Sequence, residues 1–131
     1  MLNGGGPAVE SLPVPDARRV LADLQAAVPV DLSGVEESER TIESEGRTLR
    51  LNLVRPEGTG RERLPVFVFV HGGGWVLGGI GSCARFCAEL AAAGHVLVLA
   101  ADYRLAPEHP FPQGLDDCMR AVETALRRAS E

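Results

Sequence analysis

The spacing of apolar and polar positions divides the chain into segments with different periods. Val66 to Val70 is an unbroken apolar run, rich in β-branched and aromatic residues and too short for a helix. Such a run predicts a strand buried on both faces, as in a parallel sheet. Val96 to Ala101 is a second continuous apolar strand. Between them Cys83, Phe86, Cys87 and Leu90 recur at helical spacing, from a start at Gly81 or Ser82 to a closing Gly94. Strand, helix and strand in that order predict a right-handed βαβ unit with parallel strands. Upstream, Leu49, Leu51 and Leu53 alternate with Arg50 and Asn52, so one face is buried and the other wet. A partner strand starting near Arg40-Thr41-Ile42, joined through a turn at Glu45-Gly46-Arg47, makes an antiparallel hairpin at the sheet edge.

Two further helices flank this α/β arrangement. Asp16 is read as the N-cap of a helix to about Val28 that places Val20, Leu21, Leu24 and Ala27 on one side and stops at Pro29. Its short stripe must lean on another surface, either as a simple packing helix or at the mouth of a pocket. The last helix, from about Gln113 to Arg128, carries a stripe of Leu115, Cys118, Met119, Val122 and Leu126. Acidic residues occupy its first turn and Arg127 and Arg128 its last. Residues 1 to 15, with Gly4-Gly5-Gly6-Pro7, Pro13 and Pro15, read as a flexible leader. Pro56 to Arg63 reads as an exposed connection. Three prolines exclude regular structure from Leu105 to Pro112 and favour a cis bond at Pro107 or Pro112.

Composition narrows the classes of function. A chain of 131 residues, 45% hydrophobic and 24% charged, fits one soluble domain with a real core. A net charge of −5 and the lack of a basic stripe argue against nucleic acid as a partner. No stretch resembles a signal peptide or approaches the roughly 18 apolar residues of a membrane span. Three cysteines without a secretion signal suggest reduced thiols and a cytoplasmic setting. Cys83 and Cys87 have helical spacing that could share a metal; the preferred reading is that they, like Cys118, are small core hydrophobes, and no metal or cofactor is assigned.

The chemistry concentrates at His71-Gly72-Gly73-Gly74, where the Val66–Val70 strand ends. Successive glycines there can adopt positive φ and present bare N–H groups to the crevice at the strand's carboxyl end. One reading is nucleotide binding, because Gly79-Ile80-Gly81-Ser82-Cys83-Ala84 matches G-x-G-x-x-A and Asp102 stands where a ribose-binding acid would. Its weakness is placement, since that fingerprint needs its first glycine straight after the strand. The other reading is an oxyanion hole, in which backbone N–H groups hold charge developing on a carbonyl oxygen.

His71-Gly72-Gly73-Gly74-Trp75 followed by Asp102-Tyr103-Arg104-Leu105-Ala106-Pro107-Glu108-His109-Pro110-Phe111-Pro112 closely resembles the hormone-sensitive-lipase-like branch of the α/β-hydrolases. The resemblance covers roughly Arg40 to the C-terminus. It implies the N-terminal part of an α/β-hydrolase sheet, residues 36–131, preceded by a leader and cap helix in residues 1–35. It also implies hydrolysis of a small ester or hydrophobic acyl substrate, with Gly73 and Gly74 as oxyanion donors, Gly72 as the enabling turn and Trp75 packed under the loop. His71 is implied to stabilise the loop, while His95 and His109 read as structural and Asp102 and Arg104 as a pair bracing the proline-rich turn.

The departure from that family is the missing triad. No G-x-S-x-G nucleophile elbow occurs, and none of Ser33, Ser38, Ser44, Ser82 and Ser130 follows a buried strand into a helix. Ser82 reads as a helix-start cap. The chain is therefore expected to stop before the elbow, to be an inactive fragment of a carboxylesterase or lipase, and to self-associate through the exposed Val66–Val70 edge. The rival of another class is a non-catalytic protein that keeps the pocket for a small hydrophobic ligand.

Overall fold

The computed structural model describes residues 7–44 and 46–129. Residues 1–6 of the expected leader, Glu45 of the expected hairpin turn and the serine candidate Ser130 lie outside the described residues. From Val9 the chain is already organised, as a 3-10 turn at Val9–Ser11 and then helix α1 at Val14–Ala26. The cap is Pro13, not Asp16: the Pro13 carbonyl accepts from the Asp16 and Ala17 N–H groups at 2.9 and 3.0 Å. Pro13 and Pro15 thus start a helix, because proline's fixed φ suits the first turn and its missing N–H costs nothing there.

Strand β1, Val35–Ser44, pairs antiparallel with β2, Arg47–Pro56, in register from Val35↔Pro56 to Ser44↔Arg47. The hairpin is the expected one, but β1 begins well before Arg40. Its early residues include Glu36, Glu37 and Glu39, and among its described side chains only Val35 and Ile42 are even half-buried. An edge strand wet on both faces leaves no alternation to read, and its charges discourage pairing with other chains. Strand β3, Val66–Phe69, lies parallel to β4, Leu97–Ala101, and β4 also pairs antiparallel with β2. The sheet order is β1-β2-β4-β3. Helix α2, Ala84–Gly94, connects β3 to β4, and α3 spans Gln113–Ala129.

One core layer joins α2 to the sheet through Val54, Cys87, Ala91, Val98 and Ala100. The other joins α3 to it through Leu49, Leu51, Leu99, Ala101, Ala121 and Ala125. β4 contributes to both layers, as a strand buried on both faces must. Full burial of Leu51 or Val98 stabilises the fold by about 1.5–3 kcal/mol each. The expectation of two-sided burial fails for β3, where Val66 and Phe67 are 37% and 43% exposed. Among the described residues β3 pairs only with β4, which leaves its other edge and part of both faces open.

Two helix readings also change. The left-handed residue closing α2 is His95, with φ 50°, one position beyond Gly94. The buried side of α3 is Gly114, Asp117, Cys118, Ala121 and Ala125, whereas Leu115, Met119 and Leu126 are 41%, 53% and 69% exposed. Small residues let α3 approach the sheet closely, and the large apolar ones are turned outward. The expected core positions of Cys87 and Cys118 are both observed.

Candidate active site

The site begins where β3 ends. His71 is 5% exposed, and its ring stacks on Tyr103 at 4.2 Å with planes 16° apart. The Tyr103 hydroxyl donates to the His71 carbonyl at 2.6 Å. His71 Nδ1 lies 2.8 Å from the Gly72 carbonyl oxygen, which can only accept, so the ring proton sits on Nδ1. Nε2 is buried and unpartnered among the described residues. The imidazole is thus buried at the base of the loop.

Beyond His71 the backbone turns through conformations that favour glycine. Gly73 has φ 130°, Gly74 62° and Gly78 93°, and Trp75 joins them at 64°. The Gly73 carbonyl accepts from the N–H groups of Val76 and Leu77 at 3.2 and 2.9 Å, curling the loop back on itself. A Cβ on Gly73 would stand 2.0 Å from the Leu77 oxygen, and one on Gly78 would stand 2.7 Å from His71 Nδ1. Gly72, Gly73 and Gly74 are exposed, and no described backbone carbonyl accepts from their N–H groups. Successive backbone N–H groups left open in this way can donate to an anionic oxygen.

The proline-rich turn supports the loop from below. Ala106 N–H donates to the Trp75 carbonyl at 2.8 Å, and the Trp75 ring meets Tyr103 edge-on at 5.3 Å. The peptide bonds before Pro107 and Pro112 are both cis, where one was expected. Asp102 and Arg104 do not pair with each other. Asp102 takes Arg50 of β2 at 2.5 Å, and Arg104 reaches Asp117 at 2.7 Å from both Nε and Nη2. Asp117 is 2% exposed; a carboxylate so deeply placed needs the Arg104 fork more than the half-exposed Asp102 does. Gly114 admits this packing, since a Cβ there would lie 2.7 Å from the Arg104 oxygen and 3.2 Å from the Trp75 ring.

The remaining candidates have ordinary duties. Ser82 Oγ accepts from Gly79 N–H at 3.2 Å and donates to the Gly79 carbonyl at 2.5 Å, starting the 3-10 turn Ile80–Cys83 that precedes α2. Gly79 opens a turn that does not follow β3 directly along the chain, as the fingerprint's first glycine must, and Asp102 is engaged by Arg50, so the nucleotide fingerprint is not formed. His95 meets Glu62 at 2.9 Å, and His109 lies 3.1 Å from Gln113 Oε1, both at the surface.

One side chain with no sequence signal completes the site. Arg18 of α1 donates to the carbonyls of Val76 and Ala106 at 2.8 Å each and to both oxygens of Glu108 at 2.8 and 2.9 Å. Above the loop, α1 closes a largely apolar cavity of about 300 Å³ lined by Val20, Leu21, Leu24, Gly72, Gly73 and Leu77, among others. A groove of about 610 Å³ adjoins it between the end of α1 and Gly78–Ser82. A smaller hollow of about 230 Å³ lies under Trp75 beside His109, Phe111 and Leu115.

Comparison with known proteins agrees with this architecture. Residues 67–131 match the family described as alpha/beta hydrolase fold. The chain is 39% identical over 94 residues to the carboxylesterase NlhH of Mycobacterium tuberculosis, an alignment covering 71% of this chain and 29% of that one. It superposes on a thermostable esterase from Pseudomonas putida ECU1011 with TM-score 0.81 and 41% identity, covering 89% of this chain and 36% of the other. A fungal esterase from Rhizomucor miehei gives TM-score 0.86 at 29% identity, with 98% and 42% covered. The chain belongs to the alpha/beta hydrolase fold family, and the relatives it matches are named as a carboxylesterase and esterases. It spans about a third of the length of these relatives, 29% of the Mycobacterium enzyme and 36% of the Pseudomonas one.

Proposed function

We propose that this chain carries the oxyanion-binding part of a carboxylic ester hydrolase and turns over no ester by itself. The N–H groups of Gly73 and Gly74 are the donors, Gly72 is the turn that frees them, and the cavity beneath α1 takes the small acyl or other hydrophobic portion of the substrate. The observation that carries this reading is the exposed glycine curl at the end of β3, opening onto an apolar cavity. In ester hydrolysis a nucleophile adds to the carbonyl carbon, and the electron pair of the C=O bond moves onto oxygen. Fixed N–H dipoles stabilise that oxygen, and a single donor of this kind is worth about 10²–10³ in kcat. A Ser on an elbow, an acid and a His are the groups such chemistry requires, and the sequence offers no G-x-S-x-G.

The chain's free thiols, Cys83, Cys87 and Cys118, suit a reducing, cytoplasmic compartment. Among the described residues no helix is long and apolar enough to cross a membrane. The second reading, a non-catalytic binder of small hydrophobic ligands, is favoured by the same cavity in a chain without an elbow serine. Titration with hexanoate, an apolar tail on an anionic head, tests the first reading. Saturable downfield movement of the Gly73 and Gly74 amide resonances is expected. Hexanoate that binds while leaving those two amides still favours the second reading. Serine-dependent turnover of a fluorogenic short-chain ester by this chain alone would overturn the claim that it lacks a nucleophile.

A further inference from the structure

Helix α1 is poorly held by apolar packing. Ala17 is its sole buried residue, and Leu24 is 46% exposed. Yet α1 supplies three apolar side chains to the cavity over the glycine loop, so its seat sets the shape of the site. What fixes it is Arg18. Its Nε reaches the Val76 carbonyl at the tail of the loop, one Nη reaches the Ala106 carbonyl, and Glu108 closes the fork. The two peptide segments so gripped are themselves joined, through Ala106 N–H on the Trp75 carbonyl.

We propose that Arg18 is a positioning residue that seats α1 on the glycine loop and thereby sets both the cavity wall and the aim of the Gly73 and Gly74 donors. Its consequence for ester chemistry rests on the functional reading above; its mechanical role does not. Guanidinium geometry is essential, because a planar fork satisfies acceptors on two segments at once and a lysine ammonium cannot span them. The Val76 and Ala106 bonds hold position, and the Glu108 pair adds orientation. That pair is half open to water, with side chains 29% and 52% exposed, and is the part that salt weakens.

Amide hydrogen exchange on the whole chain tests this, with Arg18→Ala, Arg18→Lys and Glu108→Gln compared with the parent. In Arg18→Ala, exchange over Val14–Ala26 and at the hydrogen-bonded amides of Val76 and Leu77 should rise about tenfold or more, while β2, β4 and α3 keep their protection. Arg18→Lys should restore little of that protection, and Glu108→Gln, which leaves both carbonyl bonds in place, should retain most of it. Hexanoate, followed at the Gly73 and Gly74 amides, should bind several-fold more weakly to Arg18→Ala than to the parent. Unchanged protection of α1 in Arg18→Ala, or an equal loss throughout the sheet, would overturn the proposal, as would full rescue by lysine. If hexanoate leaves the parent's glycine amides unmoved, the oxyanion reading fails, and the exchange pattern still decides the role of Arg18.

Discussion

Asp117 shows how a single residue holds the site's floor. Burial pushes its carboxyl up, but the hydrogen bonds and charge of Arg104 outweigh that and leave it below the usual carboxylate range. Arg120 and the Arg104 backbone N–H act in the same direction. The folded state therefore holds the Asp117 proton less tightly than the unfolded chain does. The stabilisation is fully present above the unfolded value, about 4, and is lost as pH falls through the lower folded value. Asp117→Asn should cost roughly 3 kcal/mol at pH 7 by urea unfolding and should flatten the acid limb of the stability profile. An unchanged acid limb would show that the pair does not govern it. The thiols give a second check. Burial, with smaller contributions from neighbours, raises Cys87 and Cys118 to about 11 each. Iodoacetamide at pH 8 should therefore label the less buried Cys83 first, as peptide mass spectrometry can read. At Gly73, alanine would meet the Leu77 carbonyl and adopt an unfavourable φ. Gly73→Ala should lower stability by more than about 1 kcal/mol and abolish the hexanoate response of the loop amides.

At the scale of elements, those with a buried and regular pattern were legible in the sequence. The Leu49–Leu51–Leu53 alternation gave β2, and the Val96–Ala101 run gave β4, since each faces a real core layer. The glycine loop and the proline-rich turn were legible as motifs. β1 was read short because nothing covers its charged half, so its side chains report no inside or outside. The face of α3 was misread because large apolar residues were weighted over small ones, and Asp117 was not recognised as buried. Arg18 left no signal at all: its partners lie 58, 88 and 90 residues away, and an arginine on an amphipathic helix looks like any solvated charge. The rotated α3 makes a direct prediction. Met119→Glu or Leu126→Glu should change the thermal midpoint little, whereas Ala121→Leu should destabilise by about 1–3 kcal/mol through overpacking between α3 and the sheet. Calorimetry on the three variants would separate the two faces.

For the molecule as a whole the open edge of β3 is decisive. Val66 and Phe67 are 37% and 43% exposed on a strand whose second edge has no described partner, and Val70, just beyond its end, is 40% exposed. Such an edge offers unpaired N–H and C=O groups with apolar side chains beside them, and is a template for strand addition. The chain should therefore self-associate in sedimentation experiments as its concentration rises, and Phe67→Lys should shift it towards monomer. A monomeric parent that unfolds cooperatively would remove the basis for that expectation. Esterase relatives that are about two and a half times as long place the same unit within a larger body, where such an edge need not remain open.

The order of the contacts around the glycine curl also has a meaning in time. Arg18, Tyr103, Ala106, Glu108 and Asp117 all lie at or before position 117, and together they set the curl and the turn beneath it. Synthesis runs from the amino end, whereas a domain generally folds as a unit. In a hydrolase whose nucleophile follows this loop in chain order, every residue that sets the curl is made before the nucleophile, and the curl waits for the rest of its domain.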